Sequence, residues 1–348
     1  MPAKHETKTI SLALQGGGAH GAFTWGVLDR LLEEERLNIE GITATSAGAM
    51  NAAAFKCGMV GGGRAGAQAR LDWFWSSVAE YAPASNPMMT WLSTWSPELA
   101  QMAVAPAYLA SEFLTRVASP YDLNPLNVHP LRDLLGELNF DAVHSGDQGP
   151  HLFICASNVR SGKIKVFQGE EITTDAILAS ACLPTLFQAV EIEDPVTGKL
   201  EAYWDGGYTG NPALFPLFYE TESRDVLIVH INPLEREELP RTASEILNRV
   251  NEISFNSSLL RELRAIEFVQ RLIAKGSQNL DGFKNVLIHS VRDDEAMKAL
   301  SVATKILVDR ALLLDLKAKG AAAMDTFLAE HWGDLGECSS VDLRAMFN

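Results

Sequence analysis

The chain has 348 residues, 47% of them hydrophobic and 21% charged, which is enough apolar material for a sizeable core. Its 44 acidic residues outweigh 29 basic ones, for a net charge of −15. This balance argues against a nucleic-acid partner and against purely electrostatic attachment to an anionic membrane, because both need a basic surface. The length predicts one large unit or a core with an appendage.

The first half of the chain alternates strand-like and helix-like segments. Short apolar runs that predict buried strands lie at residues 9–14, 42–45, 151–156 and 226–231. Residues 22–35 show helical spacing, and residues 47–55 form a helix-like stretch of small side chains. This alternation predicts a three-layer α/β/α core with a mostly parallel central sheet, which we place at residues 8–233.

Two regions depart from this alternation. Residues 85–121 form an insert rich in methionine, tryptophan and proline, which either serves as a lid over an apolar ligand or covers one end of the core. Residues 240–348 are predicted to be a mostly helical extension packed on the core. It begins with a capping box at Thr242 and Glu245. Later segments predict a strand at 286–291 and helices at 295–319 and 321–331.

Neither a targeting segment nor a metal site is predicted. Residues 1–8 are mostly polar, and no apolar run approaches the roughly 20 residues that span a bilayer. The four cysteines are scattered, with no C-x-x-C pair and no His/Cys cluster. We therefore expect free thiols in a reducing compartment, a cytoplasmic location, and no metal or other cofactor.

A glycine-rich loop joins the first predicted strand to the first predicted helix. Its residues are Gly16, Gly17, Gly18, Ala19, His20 and Gly21. Backbone N–H groups in such a loop can bind an anion or a developing oxyanion. A dinucleotide fold uses the same spacing, with an acidic residue about 20 positions later, near Glu40 here. Strand-like residues continue past Glu40 to Thr45, which disfavours that alternative.

The sequence Ala44-Thr45-Ser46-Ala47-Gly48 lies between the second predicted strand and a helix of small residues. A strand–turn–helix of this kind can hold a serine on a tight elbow, with its hydroxyl exposed at the end of the sheet. Ala44 occupies the first position of the G-x-S-x-G pattern, where glycine is usual. The alternative is that Ser46 only caps the helix.

A nucleophilic serine needs a base. His230 and His289 lie within apolar strand-like runs and are typical of core histidines, and His331 lies in a terminal helix. Asp205, followed by Gly206 and Gly207, is the better candidate, because two glycines after a strand can present a carboxylate on a tight loop. The alternative for this D-G-G sequence is an ordinary turn.

Together, the glycine loop, the serine elbow about 28 residues later and the D-G-G aspartate resemble the patatin-like phospholipases. The resemblance covers at least residues 8–233 and includes the connecting segments 123–126, 179–187 and 211–212. His20 occupies a position where many family members have arginine or lysine. The fold implied is a three-layer patatin-like core with a C-terminal helical extension.

The resemblance implies a serine lipid acyl hydrolase with Ser46 as nucleophile and Asp205 as proton acceptor. The oxyanion donors it implies are the backbone N–H groups of Gly16, Gly17, Gly18 and Ala47. The residues implied to support these motifs are Gly21, Ala44, Gly48, Gly206 and Gly207. Burial by Tyr203 or Trp204 would raise the pKa of Asp205, as a carboxylate base requires.

Two alternative functions stay open at this point. An acyltransferase would use the same dyad, with an alcohol or thiol in place of water. A nucleotide-binding or regulatory protein would use the Gly16 loop for phosphate and have no hydrolytic role. For the hydrolase, the expected partner is a lipid or other acyl ester, with transient peripheral contact to a membrane and no nucleic acid.

Overall fold

A computed structural model describes residues 7–84, 118–276, 282–300, 304–305 and 308–347. In this part of the chain, eight strands form one sheet in the order β5-β6-β3-β2-β1-β7-β8, with β4 beside β3. In chain order the strands are β1 (Lys8–Leu14), β2 (Leu37–Thr45), β3 (His151–Asn158), β4 (Ile164–Gln168), β5 (Val190–Glu193), β6 (Leu200–Asp205), β7 (Asp225–Val229) and β8 (Leu287–Val291).

The centre of the sheet is parallel. The pairs β1–β2, β1–β7, β2–β3 and β7–β8 run parallel, whereas β3–β4, β3–β6 and β5–β6 are antiparallel. The four strand runs expected from the sequence all lie in this sheet. The prediction of a mostly parallel α/β/α core is therefore confirmed.

Helices cover both faces of the sheet. In chain order they are α1 (Gly21–Glu33), α2 (Ala47–Ala84), α3 (Pro120–Leu123), α4 (Arg132–Gly136), α5 (Phe140–His144), α6 (Thr174–Ser180), α7 (Phe215–Glu220), α8 (Ala243–Ala274), α9 (Asp294–Lys298), α10 (Arg310–His331) and α11 (Leu343–Phe347). α2 is interrupted at Gly62 and Gly63, whose backbone angles are not helical. α8 begins at the predicted capping box, where Thr242 Oγ1 accepts the Glu245 N–H at 3.2 Å.

Alternate side chains of β1 show how the two faces are covered. Leu12 and Leu14 belong to a large buried cluster with side chains of α1, α2 and α10. Ala13 points to a smaller cluster with side chains of α7, α8 and α11. Because strand side chains alternate between faces, these clusters are the two apolar interfaces of a three-layer fold.

The predicted helices at 295–319 and 321–331 are wrong in their boundaries. The first helix, α9, ends at Lys298, and α10 begins at Arg310 after Asp309, whose side chain accepts the Ala311 N–H at 3.3 Å. α10 then continues through Gly320 without a break. Gly320 is required by packing, because a Cβ there would overlap the Phe23 carbonyl oxygen of α1.

Parts of the predicted extension belong to the same layers as the core. β8 pairs with β7, and α10 packs against α1. The division between residues 233 and 240 stays a prediction.

Most of the predicted insert, residues 85–117, lies outside the described residues, as does the lid prediction made for it. Among the described helices, none combines the length and the apolar character needed to cross a membrane.

Candidate active site

Ser46 lies in the tight turn between β2 and α2. Its φ of 55° is in the left-handed region, which non-glycine residues rarely adopt and which is typical of a strained serine elbow. Two hydrogen bonds hold the turn: the Ser46 N–H donates to Ser180 Oγ at 2.9 Å, and the Ser180 hydroxyl donates to the Cys155 carbonyl at 2.6 Å. The backbone of Ser46 is thus fixed from the neighbouring strand β3 and helix α6.

Small residues are required around this elbow. A Cβ would overlap a neighbouring group at each of the motif glycines Gly16, Gly21, Gly48, Gly206 and Gly207. The Gly16 backbone lies directly against Ser46, since its added Cβ would lie 2.6 Å from Ser46 Cβ. Ala44 is fully buried in β2 between Leu14 and Ile154, so the sheet accommodates a methyl group where the motif usually has glycine.

The glycine loop follows β1 and runs beside Ser46. The Gly16 N–H donates to Asn211 Oδ1 at 2.7 Å and is engaged within the protein, so its role as an oxyanion donor stays a prediction. Gly17 and Gly18 donate no backbone hydrogen bond within the described part of the chain. Gly18 has a φ of 60°, which favours glycine. The backbone N–H groups of Gly17 and Gly18, together with that of Ala47 in the first turn of α2, are therefore three candidate oxyanion donors.

A buried amide network, which the sequence analysis missed, supports the loop. Gln15 Oε1 accepts the N–H groups of Ile231 and Asn232 at 3.0 and 3.1 Å. Asn232 Nδ2 donates to the Gly16 carbonyl at 2.7 Å, and Gln15 Nε2 donates to Asn256 Oδ1 at 3.1 Å. The chain after β7 and helix α8 therefore help to fix the position of the glycine loop.

Asp205 is the last residue of β6 and caps the short turn Gly206–Tyr208. Its Oδ1 accepts the Gly207 N–H at 2.7 Å, and its buried Oδ2 has no hydrogen-bond partner in the described part of the chain. Burial raises the pKa of Asp205 to about 7, although the Gly207 N–H, the Ser46 hydroxyl and the charge of Lys305 each act to lower it. The carboxyl group can therefore accept a proton near neutral pH.

Ser46 and Asp205 are neighbours across the strand ends. The Ser46 hydroxyl interacts with the Asp205 carboxyl group strongly enough to affect its pKa, although the pair does not meet the geometry of a hydrogen bond. Catalytic hydrogen bonds often tighten only when a substrate is bound. Ser46 directly follows β2 and Asp205 ends β6, and these two strands lie on either side of β3.

The surroundings of Asp205 differ from the expected aromatic cover. Tyr203 packs edge-on against Phe167, with ring centroids 5.3 Å apart. Two ionisable groups on which Asp205 acts are Tyr208 and Cys182, whose pKa values burial and the nearby carboxylate raise to about 12. The Asp205 N–H also donates to the Cys182 carbonyl at 2.8 Å. A largely apolar setting thus keeps the carboxyl group poorly solvated.

Lys305 is a second feature that the sequence analysis missed. Its ammonium group donates to Asn232 Oδ1 at 2.9 Å, and its carbonyl oxygen lies directly against Gly18. Desolvation lowers the pKa of Lys305 to about 8. Beside it, burial first and then the Lys305 charge lower the pKa of His20 to about 3, so His20 is neutral at neutral pH.

The histidines considered as bases lie elsewhere. His289 Nε2 is 2.9 Å from Asp225 Oδ1, and His331 Nδ1 is 2.8 Å from Asp334 Oδ2. His230 is buried, and both its ring nitrogens lack partners in the described part of the chain. The described residues show no hydrogen bond from any of these three histidines to Ser46. That none of these histidines is the base for Ser46 stays a prediction, and their positions agree with it.

Within the described residues, the position of Glu40 does not support a dinucleotide site, and no metal site is indicated. Glu40 lies in the first half of β2 and accepts the N–H groups of Glu222 and Ser223 at 2.7 and 2.8 Å. It therefore holds a neighbouring turn at the opposite end of β2 from the glycine loop. Over the described ranges, no group of three or more His, Cys, Asp or Glu side chains is placed to hold a metal ion.

Comparison with known protein families identifies the family of this chain. The model of the family described as patatin-like phospholipase matches residues 12–218, and the chain belongs to that family. Among solved structures, it is similar to VipD from Legionella pneumophila, with 14% identity and a TM-score of 0.39 over 92% of this chain and 67% of that one. No curated protein matches the chain. Family membership supports lipid acyl hydrolase activity.

Proposed function

We propose that the protein hydrolyses acyl esters of lipids through a Ser46–Asp205 dyad and an acyl-enzyme intermediate. The observation that carries this proposal is the pairing of a serine on a strained elbow with a buried carboxyl group. That carboxyl group has one unpartnered oxygen and a pKa of about 7. Membership of the patatin-like phospholipase family supports a lipid as the source of the acyl group.

In the first half-reaction, Ser46 Oγ attacks the ester carbonyl carbon while Asp205 Oδ2 accepts the hydroxyl proton. The backbone N–H groups of Gly17, Gly18 and Ala47 stabilise the oxyanion of the tetrahedral intermediate. Collapse of the intermediate breaks the ester C–O bond, and the proton on Asp205 passes to the departing alcohol. An ester of Ser46 remains.

In the second half-reaction, Asp205 accepts a proton from water as the water oxygen attacks the Ser46 ester. The resulting intermediate collapses, the proton returns to Ser46 Oγ, and a fatty acid leaves. An ionised Asp205 is needed at the start of each half-reaction. Its pKa of about 7 makes it a stronger base than an exposed carboxylate while leaving it ionised above neutral pH.

Transient membrane contact belongs to the same proposal. Four exposed apolar side chains lie between the last residue of the insert and residue 128: Tyr121, Leu123, Leu126 and Val128. This segment is tied to residues near the site, since Gln188 Nε2 donates to the Asn124 carbonyl at 2.7 Å. An apolar surface of this kind favours contact with acyl chains in an acidic protein. The free cysteines, three of them buried, are consistent with a reducing compartment.

Hydrolysis of p-nitrophenyl esters of increasing chain length, and of defined phospholipids, tests this function. Ser46→Ala should lower kcat by about 1,000-fold or more, because it removes the atom that forms the intermediate. Ser161→Ala, in an exposed turn, is the matched control and should stay within about twofold of wild type. Hydrolysis by Ser46→Ala at the wild-type rate would contradict the proposal.

A further inference from the structure

Lys305 connects the C-terminal part of the chain to the candidate site. It lies beyond residues 12–218, which the family model matches. Although the residue keeps some exposed surface, its ammonium group is desolvated and contacts Asn232 Oδ1. A desolvated ammonium group is costly unless nearby groups compensate its charge. Its position beside the glycine loop therefore calls for an explanation.

The contacts of Lys305 lead to the loop by two routes. Through its side chain, it holds the Asn232 amide, whose Nδ2 in turn donates to the Gly16 carbonyl at 2.7 Å and to Gln15 Oε1 at 3.3 Å. Through its backbone, it closes over Gly18, where a Cβ would overlap the Lys305 carbonyl oxygen. Lys305 thus contacts Gly18 directly and reaches Gly16 through Asn232.

The charges around Lys305 come from four different parts of the chain. They belong to Glu252 of α8, Arg236 before α8 and Asp205 at the end of β6, while the fourth group, His20 of the glycine loop, is titratable but neutral at neutral pH. The two carboxylates favour the ammonium form and Arg236 opposes it. Glu252 is also paired with Arg236 at 2.7 Å and with Arg249 at 3.2 Å, whereas Asp205 has no cation bonded to it in the described residues.

We propose that Lys305 is a positioning residue of the Ser46–Asp205 site: its ammonium group holds Asn232 against the glycine loop and supplies the positive charge that favours ionised Asp205. This inference rests on the proposed function, because it assigns Lys305 a role only through the dyad. Lys305 does not take part in a covalent step. It keeps the base in its active form and the oxyanion loop in place.

The pH dependence distinguishes this role from a purely structural one. A nearby positive charge lowers the pKa of a carboxyl group, so removing it should raise the pKa of Asp205 above about 7. Lys305, with a pKa of about 8, loses its charge as the pH rises past that value. Because Asp205 and Lys305 interact, the pKa observed in the acid limb of the pH–rate profile is a property of the pair and not of Asp205 alone.

The experiment measures the rate at which a fluorophosphonate labels Ser46 from pH 5 to pH 9.5. Three variants are compared with wild type: Lys305→Met, Lys305→Arg and Lys319→Met. Lys319 is exposed on α10 and paired with Asp315, which makes it a matched control. In Lys305→Met the acid limb should move up by about half a pH unit or more, so that labelling at pH 7 falls about twofold or more.

Lys305→Arg keeps the charge, and its acid limb should stay within about 0.2 pH units of wild type, as should that of Lys319→Met. The inference is overturned if folded Lys305→Met shows no shift in the acid limb of its labelling rate. It is also overturned if the labelling rate falls by the same factor at every pH and Lys305→Arg does not restore it. If Lys305→Met fails to fold, Lys305→Gln decides by the same criteria, since it is neutral but can still donate a hydrogen bond. If wild type is not labelled at Ser46, the proposed function itself fails.

Discussion

At the scale of single residues, Asp205 combines two requirements that oppose each other. A base that works near neutral pH needs an apolar setting, and that setting makes its ionised form costly in the folded state. Glycine neighbours allow the carboxyl group to be buried, because Gly206 lies directly against the Cys155 carbonyl. A functional carboxylate of this kind is expected to lower the stability of the protein at the pH where it is active.

Asp205→Asn should therefore stabilise the protein at alkaline pH while removing activity. In the folded state the pKa of Asp205 is raised from 3.8 to about 7. The contribution of protonated Asp205 to the free energy of unfolding is therefore fully present below pH 4. It is lost as the pH rises through 7, because the folded protein must then hold a buried charge. The amide cannot ionise and avoids this loss. We expect the free energy of unfolding at pH 8 to exceed that of wild type by about 1–2 kcal/mol.

Denaturant unfolding of both proteins at pH 4.5 and pH 8 measures this difference. Glu262, whose pKa burial also raises to about 7, is present in both proteins and cancels in the comparison. The advantage of the variant should be small at pH 4.5 and large at pH 8. A variant less stable than wild type at pH 8 would show that ionised Asp205 is not costly in the folded state.

Residues with local motifs could be found from the sequence, and those with only distant partners could not. Ser46 follows β2, Asp205 ends β6, and each stands in a short pattern of small residues, so their neighbours in the chain mark them as candidates. Lys305 and Asn232 lie 73 positions apart and meet through tertiary packing. The hydrogen bond from the Gly16 N–H to Asn211, 195 positions away, was equally invisible to motif reasoning.

At the scale of elements, the packing of α1 against α10 depends on two glycines. A Cβ on Gly26 would overlap the Lys317 carbonyl oxygen, and one on Gly320 would overlap that of Phe23. The helices therefore approach backbone to backbone. Because α1 begins directly after the glycine loop, this packing also supports the site. Gly320 suggested a helix break from the sequence, since glycine is a poor helix former without such a contact.

Gly320→Ala should destabilise the protein, although alanine favours a helix by about 1 kcal/mol over glycine. The added methyl group meets a backbone carbonyl that cannot rotate away, so we expect the free energy of unfolding to fall by about 1–3 kcal/mol. Gly136→Ala is the matched control, because a Cβ there meets open space. Urea unfolding measures both variants. An unchanged or raised stability in Gly320→Ala would contradict this packing.

Strand positions were easier to predict than helix boundaries. Buried parallel strands are short, continuous apolar runs, so residues 9–14 and 226–231 stood out. Helix ends depend on caps and on partners distant in the chain: Asp309 caps α10, and residues 295–319 do not form the single helix that their composition predicted. α2 extends well beyond the predicted 47–55 because its later turns also pack into the core.

At the scale of the whole molecule, the site is assembled from distant parts of the chain. The proposed nucleophile and the glycine loop come from the first 50 residues, the proposed base ends β6, and Asn232, Asn256 and Lys305 come from the C-terminal part. The chain has a net charge of −15, yet the candidate dyad has a desolvated cation, Lys305, among its electrostatic neighbours. The same charge favours neutral or zwitterionic lipid surfaces over anionic ones.

The most direct test of the account is to locate the covalent adduct that a fluorophosphonate forms on the wild-type protein at pH 8, by peptide mass spectrometry. We predict a single stoichiometric adduct on Ser46, formed at least about 100-fold more slowly in Asp205→Asn because the hydroxyl then lacks its base. An adduct on another residue, or equal labelling rates in wild type and Asp205→Asn, would contradict the Ser46–Asp205 dyad.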